Sequence, residues 1–393
     1  PRPVVAMIHL VPTPYWFHLH RRLAAEIPEI DLRIAYTHDT PDQSWQLDLK
    51  SDLNAHSFGD GVPVTGRTPP KAAPREWRRG GAVTRWLRDI NAEAVILGGY
   101  DDFGRLRILA SCRARGVPLF IHGDSNIHGD RPTGLRRFLK KSVVGAVVRT
   151  AAGVMPFGTA GRQFFARYGA KPDRTFYVPG EPDYALIEGI TQAQIDDVVR
   201  EFKLAPNRFR IIFTGRLIEL KRAADLIDAF AAIAAEIPDW DLVIVGDGPL
   251  SDEHKARVPA ALAHRVCWCG FVGDSAKLAA LYRASDVLVL PSDRDAWALV
   301  VNEALGANLA VVVSNVVGAT DDLVRDRVNG RLFPPRDVPA LRACLLDVTD
   351  AEKLPSYKRA AGEVLADWRE RGDPVKGVRA ALASVGVLPA TKG

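Results

Sequence analysis

Asp295 and Glu303 stand eight positions apart in the stretch DAWALVVNE. The stretch follows an apolar run, DVLVLPS (286–292), and opens a helical pattern, ALVVNEALG (298–306). That order predicts strand, loop, helix, with Asp295 in the loop and Glu303 inside the helix. The amides of Leu299 and Val300 fall in the first turn, where N–H groups have no intrahelical acceptor. Two carboxylates can bind hydroxyls, and a bare helix N-terminus binds an anion. Two solvated acids on an ordinary strand–loop–helix unit are the plainer reading.

Cations lie upstream. RIIFTGRLIELKRAADLIDAF (210–230) reads as strand, tight turn and helix. Gly215 permits the sharp turn. Arg216 and Lys221 follow at the strand's carboxyl end, where open parallel sheets bind ligands. Arginine grips phosphate with a fork and lysine adds a point charge. Joined to the helix N-terminus at 299–300, the pair would make a diphosphate clamp; two cations decorating a turn are the plainer reading. A sugar nucleotide presents both the hydroxyls and the diphosphate.

Four motifs occur in sequence: GRL-x3-K (215–221), VGDGP (245–249), CGFV (269–272) and PS-x2-D-x7-E (291–303). In this order they resemble the retaining glycosyltransferases of family four, which have the GT-B fold. DAWALVVNEALG is similar to a polysaccharide and lipopolysaccharide subgroup whose usual form is ETWGLVVNEAMA. The resemblance covers nearly all of 210–340. It implies a nucleotide-diphosphate sugar as donor, with Arg216, Lys221, Leu299 and Val300 on the diphosphate and Glu303 on the ribose. It further implies Phe271 and Val272 at the base and Asp295 at the transferred sugar. Asp295 stands where the family has Glu, a reach shorter by roughly 1.5 Å. Ala298 replaces a Gly, and Asn308 and Ala310 stand for Gly and Pro.

His122 is the catalytic candidate of the first half, because it ends the strand VPLFIH and precedes Gly123. Related enzymes often carry a histidine near this point. Asp124 is expected on the acceptor side. A structural role for His122 is the competing reading. Asp293–Arg294–Asp295 spells D-x-D, which in another fold holds a metal through carboxylate oxygens. The cations and helix start already supply diphosphate recognition, so no metal and no cofactor are expected. VGDGP lacks the spacing of a dinucleotide fingerprint.

These residues need a scaffold. Apolar runs alternate with helical patterns at 4–10, 32–38, 92–99, 117–124, 151–158 and 174–180. The alternation resumes with RIIFTG, DLVIVG, RVCWCG, DVLVLP and LAVVVS. Such alternation predicts parallel sheets covered on both faces. The expected class is therefore α/β, as two doubly wound Rossmann-like domains facing a cleft. The acceptor-binding domain is placed at 1–185 and the nucleotide-sugar-binding domain at 186–356. A helical tail at 357–393 packs back on the first domain in the fold the chain resembles. PGEPDY (179–184) supplies the connector, and TQAQIDDVVREFK (191–203) a polar helix.

The 393 residues are 47% hydrophobic, enough for sizeable cores. Net charge is +5 with pI near 9.0, which suits anionic substrates or an anionic membrane surface. No nucleic-acid signature appears. The four cysteines show no zinc spacing and read as buried free thiols of a reducing compartment. No apolar run reaches the ~18 residues of a membrane span, and the opening PRPVVAMIHLVP is too short for a signal peptide. Cytoplasmic residence, with possible peripheral attachment to the membrane's cytoplasmic face, is the expectation. Two basic segments could meet an acceptor or an anionic lipid surface, with a solvated surface as the plainer reading of each. GDGVPVTGRTPPKAAPREWRRGG (59–81) reads as an irregular loop carrying Arg67, Lys71, Arg75, Arg78, Arg79 and Trp77. TGLRRFLKKSVVGAVVR (133–149) reads as a helix whose Leu135, Leu139, Val143 and Val147 share one face.

The function these readings favour is metal-independent transfer of a sugar to a glycan, lipid-linked or small-molecule acceptor. A non-catalytic glycan-assembly subunit and a sugar-nucleotide epimerase of similar architecture are the competing readings.

Overall fold

The structure is a computed structural model that describes residues 1–39, 53–61, 72–131 and 133–390. Arg67 and Lys71 lie outside the described residues, as do the side chains of Leu135 and Arg136. The chain forms two compact units, Pro1–Glu181 with Gly372–Gly393, and Pro182–Arg371.

The first unit is built on β1 (Val4–His9), β2 (Asp31–Tyr36), β3 (His56–Ser57), β4 (Ala94–Gly98), β5 (Leu119–Gly123) and β6 (Gly153–Pro156). They form one sheet in the order β3-β2-β1-β4-β5-β6, with every pair parallel. The second unit has β7 (Phe209–Thr214), β8 (Trp240–Val245), β9 (Val266–Gly270), β10 (Val287–Leu290), β11 (Ala310–Ser314) and β12 (Gly330–Phe333). Their order is β12-β11-β10-β7-β8-β9, again parallel. Both are the doubly wound arrangement, in which the chain leaves a central strand first to one side and then to the other. The cause is visible in β10 and β11, whose Val and Leu side chains are wholly buried. A strand apolar on both faces needs helices on both faces, and parallel crossovers provide them.

Three sequence expectations are corrected, and the helix expected at 133–149 shows which of its faces is buried. RTFYVPG (174–180) forms no strand; it makes one bridge, Val154 to Thr175, and then runs extended. Phe176 N–H and Val178 N–H donate to the carbonyls of Val154 and Pro156, but Pro156 has no N–H to return, so the ladder cannot propagate. The basic loop at 59–81 ends early, because a helix runs Ala73–Asp89. Pro74 is tolerated in its first turn. Gly80 serves close packing there, since a Cβ on it would lie 2.4 Å from the carbonyl oxygen of Gly104. The helix Gly134–Thr150 turns Val144, Val147 and Val148 to the core, while Leu139 and Val143 are exposed. Cys267 and Cys269 are half-buried, with their sulfurs 3.8 Å apart on one face of β9.

The tail divides at Arg371. Helix Leu354–Arg371 belongs to the second unit, where Trp368 is buried against Trp297 with ring centroids 5.4 Å apart. Helix Pro374–Ser384 belongs to the first, packing Val375, Val378 and Leu382 with Leu19 and Leu23 of helix Pro14–Glu26. The expected polar helix forms at Gln192–Glu201. A reciprocal capping box between Thr191 and Gln194 fixes its start.

Candidate functional site

In the second unit the chain passes from β7 toward β8 on one side and from β10 toward β11 on the other. The loops that follow these neighbouring strands therefore part at their carboxyl ends, the position where open α/β sheets hold ligands. The loop after β7 contains Gly215, Arg216 and Lys221; the loop after β10 contains Asp293 and Asp295. The two loops are tied together. The amide of Asp293 donates to the Leu220 carbonyl at 2.9 Å. Lys221 Nζ donates to Asp295 Oδ2 in a short ion pair, with both side chains mostly buried. Two expected site residues 74 positions apart in sequence thus meet directly.

The β8 loop shapes the same edge. Leu217 N–H donates to the Asp247 carbonyl at 2.9 Å, and Leu250 N–H donates to the Leu217 carbonyl at 3.1 Å. A Cβ on Gly246 would sit 1.9 Å from the Gly215 carbonyl oxygen, and one on Gly248 would sit 2.4 Å from that of Leu217. VGDGP is therefore glycine-rich because two backbones touch, a packing role the sequence reading did not assign. Arg216 is exposed on the resulting loop.

Helix Leu299–Gly306 begins at Ala298, which adopts φ 73°, ψ 75°. No side chain caps this N-terminus, so the first turn offers its amides and the positive end of the helix dipole. Leu299 and Val300 are half-buried there. Within the helix Glu303 is buried and accepts a 2.8 Å hydrogen bond from Tyr282 Oη. Asn302 is wholly buried; it accepts from Trp297 Nε1 at 3.0 Å and donates to Tyr184 Oη at 2.8 Å. This polar network fixes the helix behind the loop, and Tyr282 and Tyr184 escaped the sequence reading because nothing local marks them. Beyond β9, Phe271 is exposed and Val272 buried.

Asp293, the other acid of D-x-D, accepts from Arg336 Nε at 2.8 and 3.0 Å. Each D-x-D carboxylate thus faces a cation. Among the described residues no group of three or more His, Cys, Asp or Glu side chains is arranged to hold a metal.

His122 and Asp124 lie in the first unit. His122 ends β5 almost fully buried, and its Nε2 bonds the Val178 carbonyl at 2.8 Å. Burial lowers its pKa to about 4, against a weaker opposing push from that carbonyl. The ring packs among Phe157, Trp16 and His9, with centroids 5.2 to 5.4 Å away. His9 in turn stacks on Trp16 at 4.0 Å and approaches His20 at 5.1 Å. His122 is therefore one of a cluster of three buried imidazoles, and its polar contact in the chain is structural. Asp124 is exposed two residues on.

Residues 208–350 match the family described as glycosyl transferases group 1. A D-inositol 3-phosphate glycosyltransferase of Thermomonospora curvata is 31% identical over 219 residues, 52% of this chain and 49% of that protein. A phosphatidyl-myo-inositol mannosyltransferase of Mycolicibacterium smegmatis is 29% identical over 189 residues, 47% of this chain and 48% of that one. The chain spans about half or less of the length of the curated relatives it matches. Among solved structures, Anabaena HepE in complex with UDP and glucose aligns over 98% of this chain and 100% of its own, with TM-score 0.73 and 18% identity. WaaG, a glycosyltransferase involved in lipopolysaccharide biosynthesis, aligns over 97% and 100% with TM-score 0.66 and 17% identity. With the two Rossmann-like sheets, these likenesses establish the GT-B fold.

Proposed function

We propose that the protein is a retaining glycosyltransferase that takes a sugar from a nucleotide-diphosphate donor held by the second unit. The observation that carries this is the meeting of Lys221 with Asp295 where the β7 and β10 loops part. A cation and a carboxylate, fixed together beside exposed Arg216 and an uncapped helix start, match a diphosphate joined to a sugar. Arg216, Lys221 and the amides of Leu299 and Val300 take the diphosphate. Asp295 takes sugar hydroxyls, Glu303 the ribose, and the Phe271–Val272 backbone the base. The relatives' names and the UDP carried by HepE support this reading.

The acceptor oxygen bonds the anomeric carbon as the bond from that carbon to the β-phosphate oxygen breaks. The bonding pair leaves with the phosphate, which also receives the acceptor proton. Charge grows on the β-phosphate during this step, so donors already aimed at it stabilise the transition state more than the ground state. The clamp needs no metal. Asp124, exposed on the first unit, meets the acceptor, a glycan or lipid-linked glycan on the cytoplasmic face of the membrane; His122, buried with its Nε2 on the Val178 carbonyl, positions the end of β5 that leads to Asp124. No helix among the described residues is long and apolar enough to cross a membrane.

Thermal shift across UDP-, GDP- and ADP-sugars identifies the donor, since a ligand specific to the folded state raises stability. Arg216→Ala should then lower turnover by about a hundredfold to a thousandfold at unchanged melting temperature. Unchanged turnover in the folded variant removes Arg216 from the clamp, and an inverted product anomer rules out retention.

A further inference from the structure

The first unit carries a second basic feature, away from the carboxyl ends of its strands. Three arginines, Arg113, Arg149 and Arg174, line one hollow of about 340 Å³. Its floor includes Val117, Pro118 and Val385. Pro118 directly precedes β5, so the hollow sits where strands begin, at the sheet edge opposite His122. Each arginine comes from a different element. Arg113 is in the last turn of helix Phe103–Arg115, Arg149 is in the last turn of helix Gly134–Thr150, and Arg174 precedes the bridge residue Thr175. All three are exposed, no carboxylate lines the hollow, and none of the three is ion-paired among the described residues. Helix dipoles favour a cation at each helix end singly. They do not account for three guanidinium groups sharing one hollow without an anion.

Helix Gly134–Thr150 leads from this hollow. Its inward face is Val144, Val147 and Val148. Its outward face exposes Phe138 (67%), Leu139 (55%) and Val143 (56%). At 100° per residue, Phe138, Ser142, Ala146 and Arg149 follow one line along that face. The helix holds no acid in its 17 residues. Lys140 is turned to Asp130 at 2.7 Å, whereas Arg137 and Lys141 are exposed. An apolar ridge with bases beside it and an arginine hollow at its end complements one kind of surface, the anionic bilayer. Apolar side chains enter the acyl boundary while guanidinium groups take phosphate.

We propose that this face of the first unit docks on an anionic phospholipid membrane, with Phe138, Leu139 and Val143 inserted and Arg113, Arg149 and Arg174 receiving a headgroup phosphate. The site is distinct from the donor site and lies in the other unit, so it stands whether or not the transfer reading holds.

Vesicle flotation of the full chain tests it, using phosphatidylcholine alone and phosphatidylcholine mixed with phosphatidylglycerol. The wild type should float with the anionic vesicles, less with the neutral ones, and less again as salt rises. R113Q/R149Q/R174Q should weaken binding on the order of a hundredfold, about fivefold per arginine, while the triple lysine variant keeps most of it. F138S/V143S should weaken it roughly tenfold or more. Circular dichroism and melting confirm that each variant is folded. Equal binding to both vesicle types, or a glutamine variant that binds as the wild type does, overturns the proposal. So does a thermal shift with inorganic pyrophosphate that survives Arg216→Ala, vanishes in the triple glutamine variant, and is accompanied by no vesicle binding. That result makes the hollow a site for a free anion.

Discussion

Acid is expected to weaken the first unit through three of its buried imidazoles. His9, His20 and His122 are each at most 2% exposed. Desolvation lowers His20 to about 3 and His122 to about 4, and pushes His9 well below 6.5, with His20, His122 and Arg105 adding repulsion. The folded unit keeps these rings neutral, whereas the unfolded chain protonates them near 6.5. Because the folded values are depressed below the unfolded one, their cost is absent above pH 6.5 and grows as pH falls toward the folded values. One pH unit corresponds to about 1.36 kcal/mol per ring. At about pH 5 the gap is ~1.5 units, so His20 and His122 each remove ~2 kcal/mol, ~4 together. That is a large share of the 5–15 kcal/mol or so that holds a typical domain together. Urea unfolding read by hydrogen exchange in peptides from β1 and β5 isolates this unit from the other. His20→Phe removes one ring and the 3.3 Å contact of its Nδ1 with Tyr36 Oη. Whatever that variant's stability at about pH 8, its loss on going to about pH 5 should be ~2 kcal/mol smaller than the wild type's. An identical pH dependence in the two proteins would refute a buried, neutral His20.

Two further outcomes concern the second unit. Ala298→Gly should stabilise it by ~0.5–1 kcal/mol in urea unfolding, because an L-residue at φ 73° carries strain that exceeds the extra unfolded-state entropy of glycine; a destabilised variant shows that the methyl packs to advantage. Tyr282→Phe withdraws a donor from buried Glu303 and should cost ~1–3 kcal/mol, and on the proposed reading it also weakens binding of the donor's ribose; unaltered stability would place the hydroxyl's bond in water rather than in the core.

Much of the second unit was legible because its signals are local. β10 is a closed apolar run, and the helix after it starts where ALVVNEALG begins. The departure at Ala298 was also visible, and its left-handed backbone supplies the reason a glycine would suit that position. The pairing of Lys221 with Asp295 was less visible. It arises because β7 and β10 are sheet neighbours, a fact of topology that no window of residues contains. The first unit hid more. Burial of His9, His20 and His122 together depends on β1, β5 and helix Pro14–Glu26 converging, and a histidine has the same letter whether wet or dry.

Helix Gly134–Thr150 shows why periodicity alone does not say which face is buried. Leu139 and Val143 are spaced by four, and so are Val144 and Val148. Both pairs make a legitimate helical stripe, and the two stripes lie on different sides. Only one can face the sheet. Phe164 and Tyr168 pack in the same core as Val144, Val147 and Val148, while Phe138 is left in solvent. A helix carrying two apolar faces has one more than its own unit can bury. The surplus face carries Phe138, Leu139 and Val143 with Arg149 toward its end, so the stripe left outside the core and the proposed membrane contact have the same origin.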